Sequence, residues 1–104
     1  MHYNEAVTLR LSNNKSCECW FQGSAHREMP GGLPGLWSWR GTIRADNHGL
    51  LAEALEASEN VTLEFADGVV AEALISGLNY SEGPGGRTSF IGTVTGQGVP
   101  PRAQ

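Results

Sequence analysis

Alternation of apolar and polar residues near the amino terminus predicts a β-hairpin. Residues 5–11, EAVTLRL, and residues 16–22, SCECWFQ, each alternate with a period of two, and the turn sequence SNNK lies between them. This period is typical of half-buried strands. A three-residue loop, Asn13 to Lys15, sets Leu9 opposite Cys19 and keeps apolar residues facing each other, whereas a two-residue loop mixes core with solvent. We therefore predict the three-residue loop.

The same pattern recurs in the second half of the chain. Residues 60–76 read NVTLEFADGVVAEALIS, with a glycine-containing turn between two alternating runs. A loop of Ala66 to Gly68 sets Leu63 opposite Ala71, and it leaves Gly68 free to adopt a positive φ. A two-residue turn would set Leu63 opposite Glu72. The apolar pairing favours the three-residue loop here too.

Between the hairpins lies one candidate helix. Residues 45–60, ADNHGLLAEALEASEN, carry leucine and alanine at helical spacing. Asp46 or Asn47 is suited to cap its start, and we expect its end near Ala57 and Ser58.

Two further strands complete the predicted fold. Residues 37–44, WSWRGTIR, and 88–96, TSFIGTVTG, alternate, while 29–36 and 77–87 are predicted as long loops, and Gly23 is expected to interrupt the second strand. The order is β-β-β-α-β-β-β. Short links favour antiparallel pairing, so we predict a β-rich α+β fold, either a small six-stranded barrel or a two-layer sheet with one short helix.

Length and charge narrow the function classes. The chain has 104 residues, which favours a single domain over residues 1–104, with an ordered core over about 5–97 and a tail over 98–104. The formal net charge is −4 and Lys15 is the only lysine, so a nucleic-acid partner is disfavoured. No apolar run is long enough for a membrane span, and no signal peptide is evident at the start. We expect a cytoplasmic protein.

The two cysteines and three histidines give no metal motif. Cys17 and Cys19 point to one strand face with parallel Cβ vectors, which disfavours a disulfide between them. We interpret them as core thiols. His2, His26 and His48 are isolated in the sequence. We therefore expect no metal and no cofactor.

A set of tryptophan, glycine and proline positions runs through the chain: Trp39, Gly41, Gly68, Gly92, Gly96, Gly98, Pro100 and Pro101. This pattern resembles an uncharacterised family of small β-rich domains that occur as appendages to flavin-dependent monooxygenases. The resemblance implies an accessory β-rich domain, here without a flavin-binding segment, and it implies no catalytic residues.

Aromatic and basic residues near the predicted loops form the candidate ligand site. Trp37 and Trp39 share a strand face with Ile43, so they are either a wall of the core or the lining of a cavity. The residues expected to bind a small apolar or anionic ligand are Trp37, Trp39, Arg40, His26, Tyr80 and Arg87.

Three apolar residues are predicted on outer strand faces: Trp20, Val70 and Leu74. Either the helix or a second subunit would cover them if they adjoin, and a symmetric homodimer is the simplest assembly.

These features favour a non-catalytic module that binds a small ligand or serves a larger protein as an accessory, and that forms a homodimer. One alternative is a small barrel enzyme that uses His26 with Glu28 or Glu82 as acid and base. A second alternative is a structural protein that docks onto a larger partner through its outer apolar residues.

Overall fold

The computed structural model describes residues 1–27, 37–45, 48–57, 60–82, 85, 88–98 and 100–102. Six strands and one helix appear in the predicted order. Their bounds are β1 (His2–Arg10), β2 (Ser16–Arg27), β3 (Trp37–Ala45), α1 (His48–Ala57), β4 (Val61–Phe65), β5 (Val70–Glu82) and β6 (Thr88–Gln97).

The strands form a closed barrel, with the order β1-β2-β3-β6-β5-β4 around the ring. Each half of the chain is an antiparallel three-stranded meander. The halves join twice, where β1 pairs with β4 and where β3 pairs with β6. The predicted six-stranded barrel is confirmed, and the ring explains why one face of each strand is apolar: closure turns those faces inward.

Aromatic rings fill much of the barrel interior. Phe21 contacts Tyr3, Trp39 and Phe65, with ring centroids 5.6, 6.2 and 6.1 Å away. All four rings are buried. Tilted and edge-to-face packing of this kind is favourable for aromatic pairs, so the interior is a packed core.

Helix α1 closes one end of the barrel. It packs against β5 and β6, and its side chain Leu51 lies beside Ile43 and Ile75 around Gly92. Lys15 in the β1–β2 turn pairs with Glu53 of the helix at 3.3 Å. Helix α1 ends at Ala57, in agreement with the expected end near Ala57 and Ser58, while the proposed caps at 46–47 and Ser58 itself lie outside the described residues.

Near the carboxy terminus, Pro101 and Arg102 lie against β1 and the β4–β5 turn. The Tyr3 hydroxyl donates a 2.7 Å hydrogen bond to the Pro101 carbonyl. Arg102 contacts Glu5 through two hydrogen bonds of 2.6 and 2.8 Å and Asp67 through one of 2.7 Å. Within the predicted tail, Pro101 is thus buried against the barrel.

The β4–β5 turn has the predicted register. Leu63 faces Ala71 and Val61 faces Ala73. Gly68 adopts a φ of 87°, a left-handed conformation that glycine takes without steric cost.

The β1–β2 register is shifted from the predicted one. Leu9 faces Cys17 instead of Cys19, because the three-residue loop is 12–14 and not 13–15. Asn14 takes the left-handed position with a φ of 69°, which asparagine tolerates better than lysine. The Asn13 side chain also accepts a 3.0 Å hydrogen bond from the Lys15 amide, a local bond that favours this turn.

At two places where the sequence predicted that a strand is interrupted or ends, Gly23 and residues 77–82, the structure has a continuous strand. Strand β2 runs continuously through Gly23, which lies opposite Gly41 where the backbones leave no room for a Cβ atom. Strand β5 continues through Tyr80 to Glu82, so the first part of the predicted 77–87 loop is paired with β6. A bulge between Ile75 and Gly77 shifts the register there. Because a bulge interrupts the alternation of apolar and polar residues, the sequence pattern did not predict that the strand continues.

Candidate functional site

Trp39 is part of the barrel core. Its side chain is 2% exposed, and its ring lies against the backbone of Gly96, where an added Cβ would overlap it. Ala25 is its small neighbour on β2. The indole therefore occupies space that small residues leave on both adjacent strands. Its Nε1 atom has no hydrogen-bond acceptor in the described part of the chain.

Trp37 is the first residue of β3 and lies on the same strand face as Trp39. It is half-buried, and the guanidinium carbon of Arg27 lies 5.9 Å from the ring centroid. This distance is within the range of a cation–π contact. Arg27 thus covers the Trp37 ring from the neighbouring strand.

The other predicted ligand-binding residues do not converge on these tryptophans. Arg40 and His26 are exposed on the outer face of the barrel, since neighbouring positions on a strand point to opposite faces. Tyr80 is 70% exposed. It pairs with Phe90 on β6, and Phe90 pairs in turn with Ala45, the last residue of β3, so Tyr80 lies at the opposite end of β3 from Trp37. Those ends are about 26 Å apart along the strand. Arg87 lies outside the described residues.

The three predicted interface residues also lie apart. Trp20 is on β2 and both Val70 and Leu74 are on β5, three positions away in the six-stranded ring and hence across the barrel. Trp20 is 46% and Val70 is 60% exposed, while Leu74 is half-buried. Helix α1 does not cover Trp20, since it packs on β5 and β6.

Trp20 is held in place on the outer face by strand β1. Its indole Nε1 donates a 2.6 Å hydrogen bond to Asn4 Oδ1, and Gln22 Nε2 donates a second bond of 3.2 Å to the same atom. The ring is therefore both exposed and fixed in orientation. Exposed aromatic rings that are fixed in this way lose little conformational freedom when a ligand stacks on them.

Around Trp20 the barrel surface is concave. One cavity of about 300 Å³ is bordered by Trp20, Gln22, Thr42, Arg44 and Ile91. A wide-open depression of about 340 Å³ lies on the other side, where Trp20 and Arg44 border it together with Glu18. Both volumes lie at the lower end of the range for small-molecule sites. We call the outward-facing set Asn4, Trp20, Gln22, Thr42, Arg44 and Ile91 the Trp20 surface.

Arg44 supplies the charge of this surface. It lies directly opposite Trp20 on β2 and opposite Ile91 on β6. It is exposed, and among the described residues its guanidinium has neither a hydrogen bond nor an ion pair. An arginine without an internal partner keeps all five donors for a ligand.

Charge is unevenly distributed around the barrel. At their outward-facing positions, the described parts of β2, β3 and β6 carry Arg40 and Arg44 against a single acidic residue, Glu18. On the opposite side, arginines are matched by carboxylates. Arg10 donates a 2.9 Å hydrogen bond to Glu64, which lowers the pKa of that carboxyl. This outer face therefore carries a small excess of positive charge on a chain whose formal net charge is −4.

The residues of the acid–base alternative, His26 and Glu82, do not lie at one site. His26 aligns with Ser38 near the start of β3, whereas Glu82 aligns with Thr88 at the opposite end of the barrel. Glu28 lies outside the described residues. Among the described residues there is also no group of three side chains suited to hold a metal ion.

Comparison with family models, curated proteins and solved structures finds no match for this chain. The fold therefore identifies it by class alone, as a β-rich α+β protein with a six-stranded antiparallel barrel. No helix in the described ranges has the length and apolar character needed to cross a membrane.

The sequence indicated that Trp20 points outward but did not identify it as part of a ligand site. Arg44 and Ile91 are distant in sequence from it, and only the pairing of β3 with both β2 and β6 brings the three together. Alternation within each strand predicts that each of these three side chains faces outward, and this is the only part of the site that the sequence pattern indicates.

Proposed function

We propose that this chain is a non-catalytic binding module, and that the Trp20 surface binds a small ligand with a flat apolar part and an anionic group. The observation that carries the proposal is the Arg44 guanidinium, which has no hydrogen bond or ion pair within the described part of the chain and lies opposite the fixed, exposed indole of Trp20. The cavity on one side of this pair and the open depression on the other offer room for a ligand.

The chemistry of the two residues defines the ligand. An indole face attracts planar apolar groups by stacking and dispersion. A guanidinium binds carboxylate, phosphate or sulfonate through paired hydrogen bonds. Gln22 and Thr42 border the same cavity and add polar groups that can orient the ligand.

The proposal keeps the ligand chemistry expected from the sequence and moves it to another face. The buried Trp39 serves the core, so the aromatic partner on the surface is Trp20. We also propose a cytoplasmic location, since both cysteines are free thiols, as is usual in a reducing compartment. An accessory role beside a larger enzyme agrees with this reading, because a binding module needs no catalytic group of its own.

Binding of anilinonaphthalene sulfonate, measured by its fluorescence, tests the proposal. This probe combines fused aromatic rings with one anionic group. We expect wild-type protein to bind it and Arg44→Gln to bind it roughly five- to tenfold more weakly, since one charge-assisted contact is lost. Trp20→Ala should weaken binding as well.

Two controls make the result specific. Arg40→Gln removes the same charge from the same strand outside the cavities, so it should change affinity little. Phenylnaphthylamine lacks the sulfonate, so Arg44→Gln should barely affect its binding. Equal sulfonate affinity in the wild type and Arg44→Gln would contradict the proposal.

A second function for the same surface is contact with a protein. Trp20 is 46% exposed, and tryptophan and arginine are the residues most often found at the centre of protein interfaces. The homodimer expected from the sequence would form in this way. Light scattering on protein that elutes from a size-exclusion column measures the mass of the assembly in solution. A dimer that dissociates in Trp20→Ala would favour this reading over a small ligand.

A further inference from the structure

The sulfur atoms of Cys17 and Cys19 are 3.6 Å apart on the inner face of β2. Cys19 is buried and Cys17 is half-buried. Among the described residues, the β2–β3 ladder begins at Trp20, so both cysteines precede it on β2. Cys17 is the more accessible member of the pair.

A disulfide does not fit this geometry. Residues two apart on a strand project their Cβ atoms in parallel, whereas a disulfide needs a sulfur–sulfur distance of about 2.05 Å and a dihedral angle near 90°. A single atom between the sulfurs does fit. An atom about 2.3 Å from each sulfur, a typical metal–thiolate length, would subtend an angle of about 103° at the observed 3.6 Å separation. This angle matches a tetrahedral or pyramidal centre and not a linear one.

The surroundings decide between these centres. A tetrahedral metal such as zinc needs two more ligands, and the described residues offer no cluster of three ligating side chains. The pair is also enclosed by apolar neighbours, with Leu9 opposite Cys17 and Val7 opposite Cys19. Burial raises the pKa of Cys19 to about 12 and also raises that of Cys17. Neutral thiols in an apolar site favour a centre that forms covalent bonds to sulfur and carries an apolar third substituent.

We infer that Cys17 and Cys19 form a dithiol site for a trivalent, pyramidal thiophilic centre of the organoarsenical class, held by both sulfur atoms. With phenylarsine oxide as the probe, the two thiol protons leave with the arsenic-bound oxygen as water, and two arsenic–sulfur bonds form. Arsenic remains trivalent and neither sulfur is oxidised, so no further reactant is needed.

Mass spectrometry of the native protein after incubation with phenylarsine oxide tests the inference. We expect one adduct per wild-type chain, formed with loss of one water and removed by excess dimercaptopropanol. Cys17→Ser should give no adduct that survives desalting, because a single sulfur forms only one bond. Circular dichroism before and after the reaction should show the same β-rich spectrum.

The half-buried Cys17 is the better position to change, since Cys19→Ser places a hydroxyl in the core and risks misfolding. Wild-type protein that reacts only in urea would overturn the inference, as would an equally stable adduct on Cys17→Ser. Oxidation with diamide provides a contrast, because the strand geometry should prevent an intramolecular disulfide. These results are independent of the sulfonate binding proposed for the Trp20 surface.

Discussion

The Tyr3 hydroxyl and the Pro101 carbonyl, 98 residues apart in sequence, form a buried hydrogen bond of 2.7 Å. It joins the first strand to the carboxy-terminal segment. The Tyr3 ring also contacts Phe21 and Phe65, so one residue links the aromatic core to the end of the chain.

Tyr3→Phe should therefore destabilise the protein by about 1–2 kcal/mol, because the Pro101 carbonyl is left without its partner while the ring is kept. Urea unfolding measures the change in the free energy of unfolding. Tyr80→Phe is the matched control, since that side chain is 70% exposed, and it should change stability by less than about 0.5 kcal/mol. Equal effects of the two substitutions would mean that the hydrogen bond contributes nothing.

Arg102 should make stability depend on pH in the acidic range. Its hydrogen bonds lower the pKa values of Glu5 and Asp67 below their ordinary values of 4.5 and 3.8. A carboxyl whose pKa is lower in the folded state stabilises it above the unfolded pKa, and this contribution is lost as the pH falls through the folded pKa.

We therefore expect Arg102→Gln to lower the melting temperature at pH 7, and this difference from wild type to shrink as the pH falls below about 4. Thermal unfolding followed by circular dichroism at a series of pH values measures it. Lys15→Gln, which breaks the exposed pair with Glu53, serves as the comparison and should have a smaller effect. The Arg102 guanidinium also lies 5.0 Å from the centroid of the Phe65 ring. A constant difference across the pH range would argue that Arg102 acts through this ring contact alone.

Gly96→Ala should disturb the core, because the new methyl group would overlap the Trp39 ring. Overpacking of this kind typically costs about 1–3 kcal/mol. Urea unfolding gives the loss, and near-ultraviolet circular dichroism reports the tryptophan environment. Adding Trp39→Phe makes room, so the glycine substitution should cost less in that background. Independent, additive effects of the two substitutions would rule out the steric explanation.

Gly68 provides a test of turn conformation without steric contacts. Its φ is 87°, and a Cβ at this position would meet nothing within 4 Å. Gly68→Ala should cost about 1 kcal/mol, and Gly68→Asn should cost less, since asparagine tolerates this conformation. Urea unfolding of the three proteins should rank them as glycine, asparagine and alanine. An alanine variant as stable as the wild type would disprove the strain argument.

The two hairpins show how far alternation determines a fold. It predicted the faces of both hairpins, and in β4–β5 it also predicted the register, because Gly68 marks the left-handed position without ambiguity. In β1–β2 a shift of one residue in the loop preserves which residues face inward, so the apolar pattern cannot distinguish the two registers. The choice depended on the left-handed conformation of Asn14 and on the hydrogen bond that the Asn13 side chain accepts from the Lys15 amide.

The candidate site was less predictable than the fold. Alternation indicated that Trp20 faces outward, but its neighbours Arg44 and Ile91 depend on the strand order around the ring. That order results from the pairing of β3 with β6, two strands that are separated in the sequence by α1, β4 and β5. The extension of β5 to Tyr80 depended in turn on the bulge near Gly77. Long-range pairing of this kind leaves no local pattern in the sequence.

The double junction of the two meanders has a consequence for folding. Each meander can form from neighbouring segments, but both of its outer strands stay unpaired until the other half arrives. Assembly then requires partners that are distant along the chain, which slows folding. Such unpaired borders promote association between molecules. A newly made chain would be most prone to aggregate in the interval before its two halves meet.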